Sequence, residues 1–150
     1  MSLALIILFV PIVLGIIYLV WRLRRRSRTP PQELYVCLDG HLVKSRGEWM
    51  VDAALLYLRI HHEYEQPLRV DSQVIHPDFS LGHDIFIEYW GSNTKHYLQY
   101  KRERQLLYKK KKYRIIELEN EHLKNLLHYL SKKLEPFQDY FPNLNLYLGG

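Results

Sequence analysis

The stretch 74-VIHPDFSLGHDIFIEYWG-91 decides the predicted fold, because it reads as two strands with a turn between them. Side chains of a strand alternate between the two faces of a sheet, so Glu88 in the middle of Ile85–Trp90 shares a face with two aromatic residues. The simplest interpretation is a half-exposed strand whose Glu88 meets water. Asp78 lies ten residues earlier, however, on the other strand, where hairpin pairing brings the two carboxylates close. A pocket lined by both acids is the alternative.

The residues on both sides of this stretch predict an α/β domain. Ser45, with Glu48 three residues later, has the spacing of a helix capping box. The alternating and helical periodicities that follow give the order helix, three strands, helix, strand, helix. The predicted elements are a lead-in hairpin at Asp39-Gly40, a helix from Ser45 to Ile60, strands over 62–70, 73–81 and 83–90, a helix over 95–112, a strand over 113–119 and a helix from Glu121 to Leu134. The aromatic tail after them is expected to pack as an irregular cap.

Composition and motifs exclude several classes of function. The single Cys37 cannot form an intramolecular disulfide or a thiolate zinc site. The sequence has no Walker loop, dinucleotide-binding fingerprint or serine-hydrolase elbow. His61 and His62 adjoin Glu63, but adjacent side chains of a strand point apart, so a metal site shared by these three residues is not expected.

Residues 3–21 predict a membrane anchor, because they are nineteen residues without a charge. As a helix they span roughly 28 Å, close to the hydrocarbon core of about 30 Å. A cleaved signal peptide is the competing interpretation, but no basic residue precedes the apolar run and no small-residue cleavage site follows it. The five arginines of residues 22–28 flank one side only, which predicts a single-pass protein of the cell membrane with its C-terminal domain in the cytoplasm.

These features divide the chain into an anchor over 1–21, a basic juxtamembrane linker over 22–33 and a domain over 34–150. The arginines of the linker account for the formal net charge of +5, and they suit anionic lipid head groups. The rest of the chain is formally neutral. Within the domain, nine basic residues lie between 95 and 114 against the single acid Glu103. Positive charge is therefore concentrated on the second predicted helix of the domain.

Motifs at five places carry a resemblance to a known family. They are DGHLVKSRGE (39–48), HPDFSL (76–81), IFIEYWG (85–91), YLQYKRERQLLY (97–108) and YRIIEL (113–118). In this order they resemble the PD-(D/E)xK, or restriction-endonuclease-like, nuclease superfamily, and within it the very-short-patch-repair-like and helicase-appended small nuclease domains. The resemblance implies an αβββαβ core with a central mixed sheet flanked by helices.

The resemblance also implies a DNA endonuclease that hydrolyses phosphodiester bonds with Mg²⁺ or Mn²⁺. The metal ligands implied by the matching motifs are Glu48, Asp78 and Glu88. Magnesium prefers oxygen ligands and retains several waters, so two or three carboxylates suffice to bind it. The expected partners are DNA and, through residues 3–21, the membrane.

One motif position departs from the family. The lysine that follows the second acid by two residues is replaced by Trp90. Relatives in this group often carry that lysine on the next helix, where Lys101 and Arg104 share one face and Arg104 occupies the matching position. Arginine stabilises transition-state charge but cannot act as a base near neutral pH. Either Lys101 takes the role, or Arg104 supplies electrostatics only, or activity is lost.

The basic run Lys109, Lys110, Lys111 and Lys112 has two interpretations of equal weight. Lysines at the end of a helix are commonly solvated and suit the helix dipole. On this fold they are also placed to hold DNA phosphates, together with Lys101 and Arg104.

Three functions therefore stay open. The first is the membrane-anchored endonuclease, favoured by the three acids, since their mutual repulsion costs stability unless a cation offsets it. The second is a catalytically inactive nuclease-fold module that binds DNA or a protein partner at the membrane, favoured by Trp90 and Arg104. The third is a structural membrane protein of unrelated fold.

Overall fold

The computed structural model describes residues 13–21 and 33–144. The chain forms two compact units, Met1–Glu33 and Leu34–Gly150. In the first unit residues 13–21 are helical and are named α1 here. Among the residues that the structure describes, no helix has the length and apolarity to cross a membrane. Residues 3–12 of the predicted anchor and 22–32 of the predicted linker lie outside the described residues.

The second unit alternates short strands with three further helices. Its elements are β1 Tyr35–Val36, β2 Leu42–Val43, α2 Arg46–Tyr57, β3 Glu63–Tyr64, β4 Leu68–Val70, β5 Gln73–Ile75, β6 Phe79–Ser80, β7 Ile85–Trp90, α3 Lys95–Lys111, β8 Arg114–Glu119 and α4 Leu126–Leu134. Short 3-10 helices cover His122–Asn125, Glu135–Tyr140 and Pro142–Leu144.

A four-stranded mixed sheet is the centre of this unit. Its strand order is β3-β6-β7-β8. Neighbouring strands are antiparallel except β7 and β8, which are parallel and are connected by α3. The predicted mixed α/β architecture is therefore confirmed. Strands β1 with β2, and β4 with β5, form two separate antiparallel hairpins.

All six residues of β7 are buried, so the interpretation of this strand as half-exposed is wrong. On one face, Ile85 and Ile87 lie in the main core with Leu55 of α2 and Leu130 of α4. On the other face, Phe86 stacks on Tyr108 of α3. Because helices cover both faces, a charged side chain on β7 is removed from bulk water and needs a partner inside the protein.

Two of the predicted strands are broken in the structure. The stretch 62–70 gives β3 and β4 rather than one strand, and 73–81 gives β5 and β6. Glu65 has a φ of 47°, a left-handed conformation that ends a strand, and Pro67 follows it without a backbone donor. Asp71 has a φ of 54° and forms the turn of the β4–β5 hairpin.

The helix boundaries differ by a few residues from prediction. Helix α2 ends at Tyr57 rather than Ile60, because Arg59 takes a φ of 56° and Ile60 N donates back to Leu55 O at 2.9 Å, as in a Schellman ending. The last helix begins as a 3-10 turn and becomes α4 at Leu126. The tail packs on the core as predicted where it is described, since Phe141 is buried there, but it forms 3-10 helices rather than irregular structure.

Candidate functional site

Three acids reach the site from three different elements. Glu48 lies in the first turn of α2, Asp78 immediately precedes β6, and Glu88 lies in the middle of β7. Strand pairing aligns Phe79 with Ile87. Because β6 and β7 are antiparallel, the next residues outward are Asp78 and Glu88, so the register places them opposite each other.

Glu48 is held by the beginning of α2. Ser45 caps the helix, and its hydroxyl accepts a bond from Glu48 N at 3.1 Å and donates to Glu48 Oε1 at 2.8 Å. Glu48 Oε2 accepts bonds from Tyr64 OH at 2.6 Å and from Lys44 N at 2.9 Å. The predicted cap is confirmed, and the carboxylate has a fixed orientation beside the positive end of the helix dipole.

Asp78 lies in the electrostatic field of both other acids. Its Oδ2 accepts a bond from Tyr89 N at 2.6 Å, which holds the side chain against β7. Burial raises the pKa of Asp78 well above its ordinary value, and the charges of Glu88 and Glu48 raise it further. The charges of Glu88 and Glu48 therefore act on the Asp78 carboxyl.

Glu88 is partnered from α3. Its Oε1 accepts bonds from Arg104 Nη2 at 2.8 Å and from Tyr108 OH. Burial raises the pKa of Glu88, and the Arg104 guanidinium opposes that rise. Within the described part of the chain, no hydrogen bond to Glu88 Oε2 or Asp78 Oδ1 is found, so neither oxygen is committed to a protein donor.

Arg104 occupies the place that the resemblance gives to the migrated lysine. It is 6% exposed, donates to His76 O at 2.6 Å and lies over the rings of Tyr100 and Tyr108 at 5.6 and 5.3 Å. Its Nε is buried without a hydrogen-bond partner. The guanidinium is therefore fixed beside Glu88, where a positive charge faces the acids.

Lys101 pairs with a different acid. Its ammonium group binds Glu119 Oε1 at 2.5 Å and lies 5.4 Å from the centre of the Trp90 ring. Trp90 in turn donates to Glu117 Oε2 at 2.8 Å. The two residues named as alternatives for the missing lysine thus differ, since Arg104 contacts a site acid and Lys101 is engaged elsewhere.

The lysine run lies at the end of α3. Lys109, Lys110 and Lys112 are exposed, while Lys111 pairs with Asp71 at 2.5 Å. A cleft of about 590 Å³ runs beside this helix and is lined by His76, Tyr100, Arg104 and Lys110 among others. The buried cation of the site and one lysine of the run therefore border the same open space.

A second cluster, formed by Asp39, His41, Asp52 and His62, was missed from the sequence. Each of these residues offers one ligand atom, and the four ligand atoms all lie within 4.8 Å of one another. His62, which was weighed with its neighbours His61 and Glu63, instead meets residues that are distant in the sequence. The sequence feature that could have revealed this cluster is Asp52, because it is an acid on the buried face of α2.

Comparisons of the chain with protein-family models, with curated proteins and with solved structures found no match. Conclusions about function therefore rest on the chemistry of the two clusters. Three carboxylates beside a fixed arginine suit a hard divalent cation and an anionic substrate.

Proposed function

We propose that the chain is a metal-dependent endonuclease that hydrolyses phosphodiester bonds of DNA. The observation that carries the proposal is the convergence of Glu48, Asp78 and Glu88, whose charges act on one another inside the protein. The order of α2, β3, β6, β7, α3 and β8 agrees with the αβββαβ core expected from the resemblance to the PD-(D/E)xK superfamily.

The donor set fits Mg²⁺ or Mn²⁺. Asp78 and Glu88 offer the oxygens Oδ1 and Oε2, and Glu48 lies close enough to influence the Asp78 carboxyl. All three are carboxylates, the ligands that hard divalent cations prefer. When bound, such a cation activates water and neutralises charge on the phosphate. Burial raises the pKa of Asp78 and the charges of Glu88 and Glu48 raise it further, so a cation bound between the acids would offset that repulsion.

The remaining residues would position the nucleic acid. Arg104 holds Glu88, and its guanidinium would stabilise the extra negative charge of the transition state beside the acids. Exposed lysines Lys109, Lys110 and Lys112 supply sequence-independent contacts to phosphates. Lys101, bound to Glu119, has a supporting role at most.

A second function is favoured because Trp90 stands at the motif position of the lysine. Lys101 is bound to Glu119, and the cation that bonds Glu88 is Arg104. Arginine cannot accept a proton near neutral pH. A catalytically inactive module that kept the pocket and binds DNA or a protein partner at the membrane is therefore the alternative.

The location belongs to the same proposal. The charge-free residues 3–21 and the one-sided arginines after them support a single-pass anchor with the domain in the cytoplasm. Protease added outside intact cells is expected to leave residues 34–150 uncut. Digestion from the outside would reverse the orientation and exclude chromosomal DNA as the substrate.

The test of the nuclease proposal uses the full chain and two readouts. Magnesium or manganese is expected to raise the melting temperature, because a ligand that binds only the native state stabilises it by mass action. The same ions are expected to support nicking of supercoiled DNA. Asp78→Asn and Glu88→Gln should abolish both effects. Asp84→Asn, at an exposed residue outside the cluster, is the matched control and should retain both.

The outcomes separate the two functions. Stabilisation by metal without cleavage of any DNA form would support the inactive module over the nuclease. A wild-type chain that shows neither stabilisation nor cleavage would exclude a cation site at the three acids and overturn both proposals.

A further inference from the structure

The second cluster joins three separate parts of the fold. Asp39 and His41 belong to the turn between β1 and β2, Asp52 lies in α2, and His62 immediately precedes β3. Asp52 is fully buried and His62 is 6% exposed. Their side chains converge although 23 positions separate the first from the last in the sequence, so the fold itself brings them together.

Four of the six distances between the ligand atoms of the cluster are close to those of a tetrahedral ion site, and the remaining two lie within 4.8 Å. Asp52 Oδ2 lies 2.9 Å from His41 Nδ1 and 3.1 Å from His62 Nε2. Asp39 Oδ2 lies 3.2 Å from the same His41 atom and 3.3 Å from the same His62 atom. Zinc bonds of about 2.0–2.2 Å place tetrahedral ligand atoms about 3.3–3.6 Å apart, so the side chains would have to shift to admit the ion.

The hydrogen bonding of His62 identifies what faces the carboxylates. Its Nδ1 lies 3.0 Å from Ile60 O, and a carbonyl oxygen accepts, so Nδ1 carries the proton. In a neutral imidazole Nε2 then presents a lone pair, yet it lies against the oxygens of Asp39 and Asp52. A lone pair among carboxylates needs either a second proton or a metal ion. Metal-bound histidines commonly donate their other nitrogen to a backbone carbonyl in this way.

Asp52 provides an independent observation. Its Oδ1 is buried and has no hydrogen-bond partner apart from a contact of the carboxyl with the Cys37 thiol, a weak donor. A fully buried carboxylate without adequate donors is costly unless a cation accompanies it. The buried carboxylate needs a cation nearby, and the two carboxylates and two imidazoles of the cluster form a ligand set that can bind one.

We propose that Asp39, His41, Asp52 and His62 bind one zinc ion in a closed structural site. Four protein ligands with no position left for water are typical of structural rather than catalytic zinc. The ion holds the β1–β2 turn on α2 and on the segment before β3. None of its ligands belongs to the acid cluster, so zinc binding can be tested separately from the proposed nuclease activity.

The test begins with the wild-type full chain and needs no variant. Purified protein is expected to contain about one zinc per chain. A zinc-selective chelator, added in the presence of excess magnesium, should lower the melting temperature, and one equivalent of zinc should restore it. Cobalt in place of zinc should give the visible absorption of a tetrahedral site. Octahedral cobalt absorption would overturn the closed four-ligand site.

Variants then assign the ligands. His62→Gln and Asp52→Asn should weaken zinc binding, measured against a chromophoric chelator, by at least about 100-fold, because even second-shell changes cost 10–100-fold. His61→Gln is the matched control, since His61 is the exposed neighbour, and it should bind as wild type. Asp78→Asn should keep the zinc effect while losing that of magnesium, which separates this proposal from the nuclease.

Two further results would overturn the proposal. One is a wild-type chain that neither retains zinc nor changes its melting temperature with zinc or chelator, which would assign the cluster to an imidazolium hydrogen-bonded to two carboxylates. The other is unchanged zinc affinity in a folded His62→Gln variant, which would place the ion elsewhere.

Discussion

Asp78 is a residue whose charge opposes folding. Burial, then the charges of Glu88 and Glu48, raises its pKa well above the ordinary value, so the native state binds a proton that the unfolded state has lost. Stability is therefore fully present below the unfolded pKa and is lost as pH rises through the folded pKa. Without added magnesium, we expect the melting temperature to fall over that range.

The variant Asp78→Asn checks this expectation. Asparagine keeps an acceptor for Tyr89 N and carries no charge, so it should raise the melting temperature at pH 7–8 and leave it nearly unchanged at pH 4. The pH dependence should shrink without vanishing, because the pKa of Glu88 is also raised by burial. A variant whose thermal melts run parallel to wild type at every pH would contradict the argument.

Arg104 and Lys101 should respond differently to loss of charge. Arg104→Gln leaves buried Glu88 without its cation, which we expect to cost about 3–5 kcal/mol and to abolish nicking. Lys101→Met breaks a bond to Glu119, whose side chain is 47% exposed, and should cost about 0.2–1 kcal/mol. Urea unfolding and the nicking assay measure both. A larger catalytic loss in Lys101→Met would return the missing lysine's role to that residue.

At the level of elements, the closeness of α2 to β7 depends on Gly47. A Cβ atom there would overlap the ring of Tyr89, and that ring cannot move freely because it lies in the core beside Gly91. Gly47→Ala should therefore destabilise the protein by about 1–3 kcal/mol, the range for overpacking. In a Tyr89→Ala background the same substitution should cost nothing. Equal costs in both backgrounds, by urea unfolding, would show that Tyr89 is not the obstacle.

The elements with a clear local signal were predictable from the sequence. The alternation of Ile85–Trp90 and the cap at Ser45 both specify structure through neighbours in the chain, and both appear as expected. The break at Glu65 was not predictable, because a left-handed glutamate has no local signature. The cluster around Asp52 was missed for a related reason, since its ligands come together only through tertiary packing.

The whole domain depends on its C-terminal tail for a closed core. Phe141 is 8% exposed and packs in the main core with Leu130 and Leu134. Phe141→Ala should cost about 3–5 kcal/mol, the usual range for removing a buried phenylalanine. Asp139→Ala, at an exposed position two residues away, is the control and should stay within about 0.5 kcal/mol of wild type. Equal unfolding midpoints in urea would show that the tail is dispensable.

Tyr64 connects the two clusters, since its hydroxyl donates to Glu48 while its ring centre lies 6.4 Å from that of His41. Coupling between two binding events is reciprocal. If zinc shifts the magnesium midpoint through this tyrosine, magnesium must shift that of zinc by the same factor. Titrating each ion at fixed levels of the other measures that factor, and Tyr64→Phe should bring it towards one. In a protein with such a tyrosine, the affinity for one metal ion would report whether the other metal ion is bound.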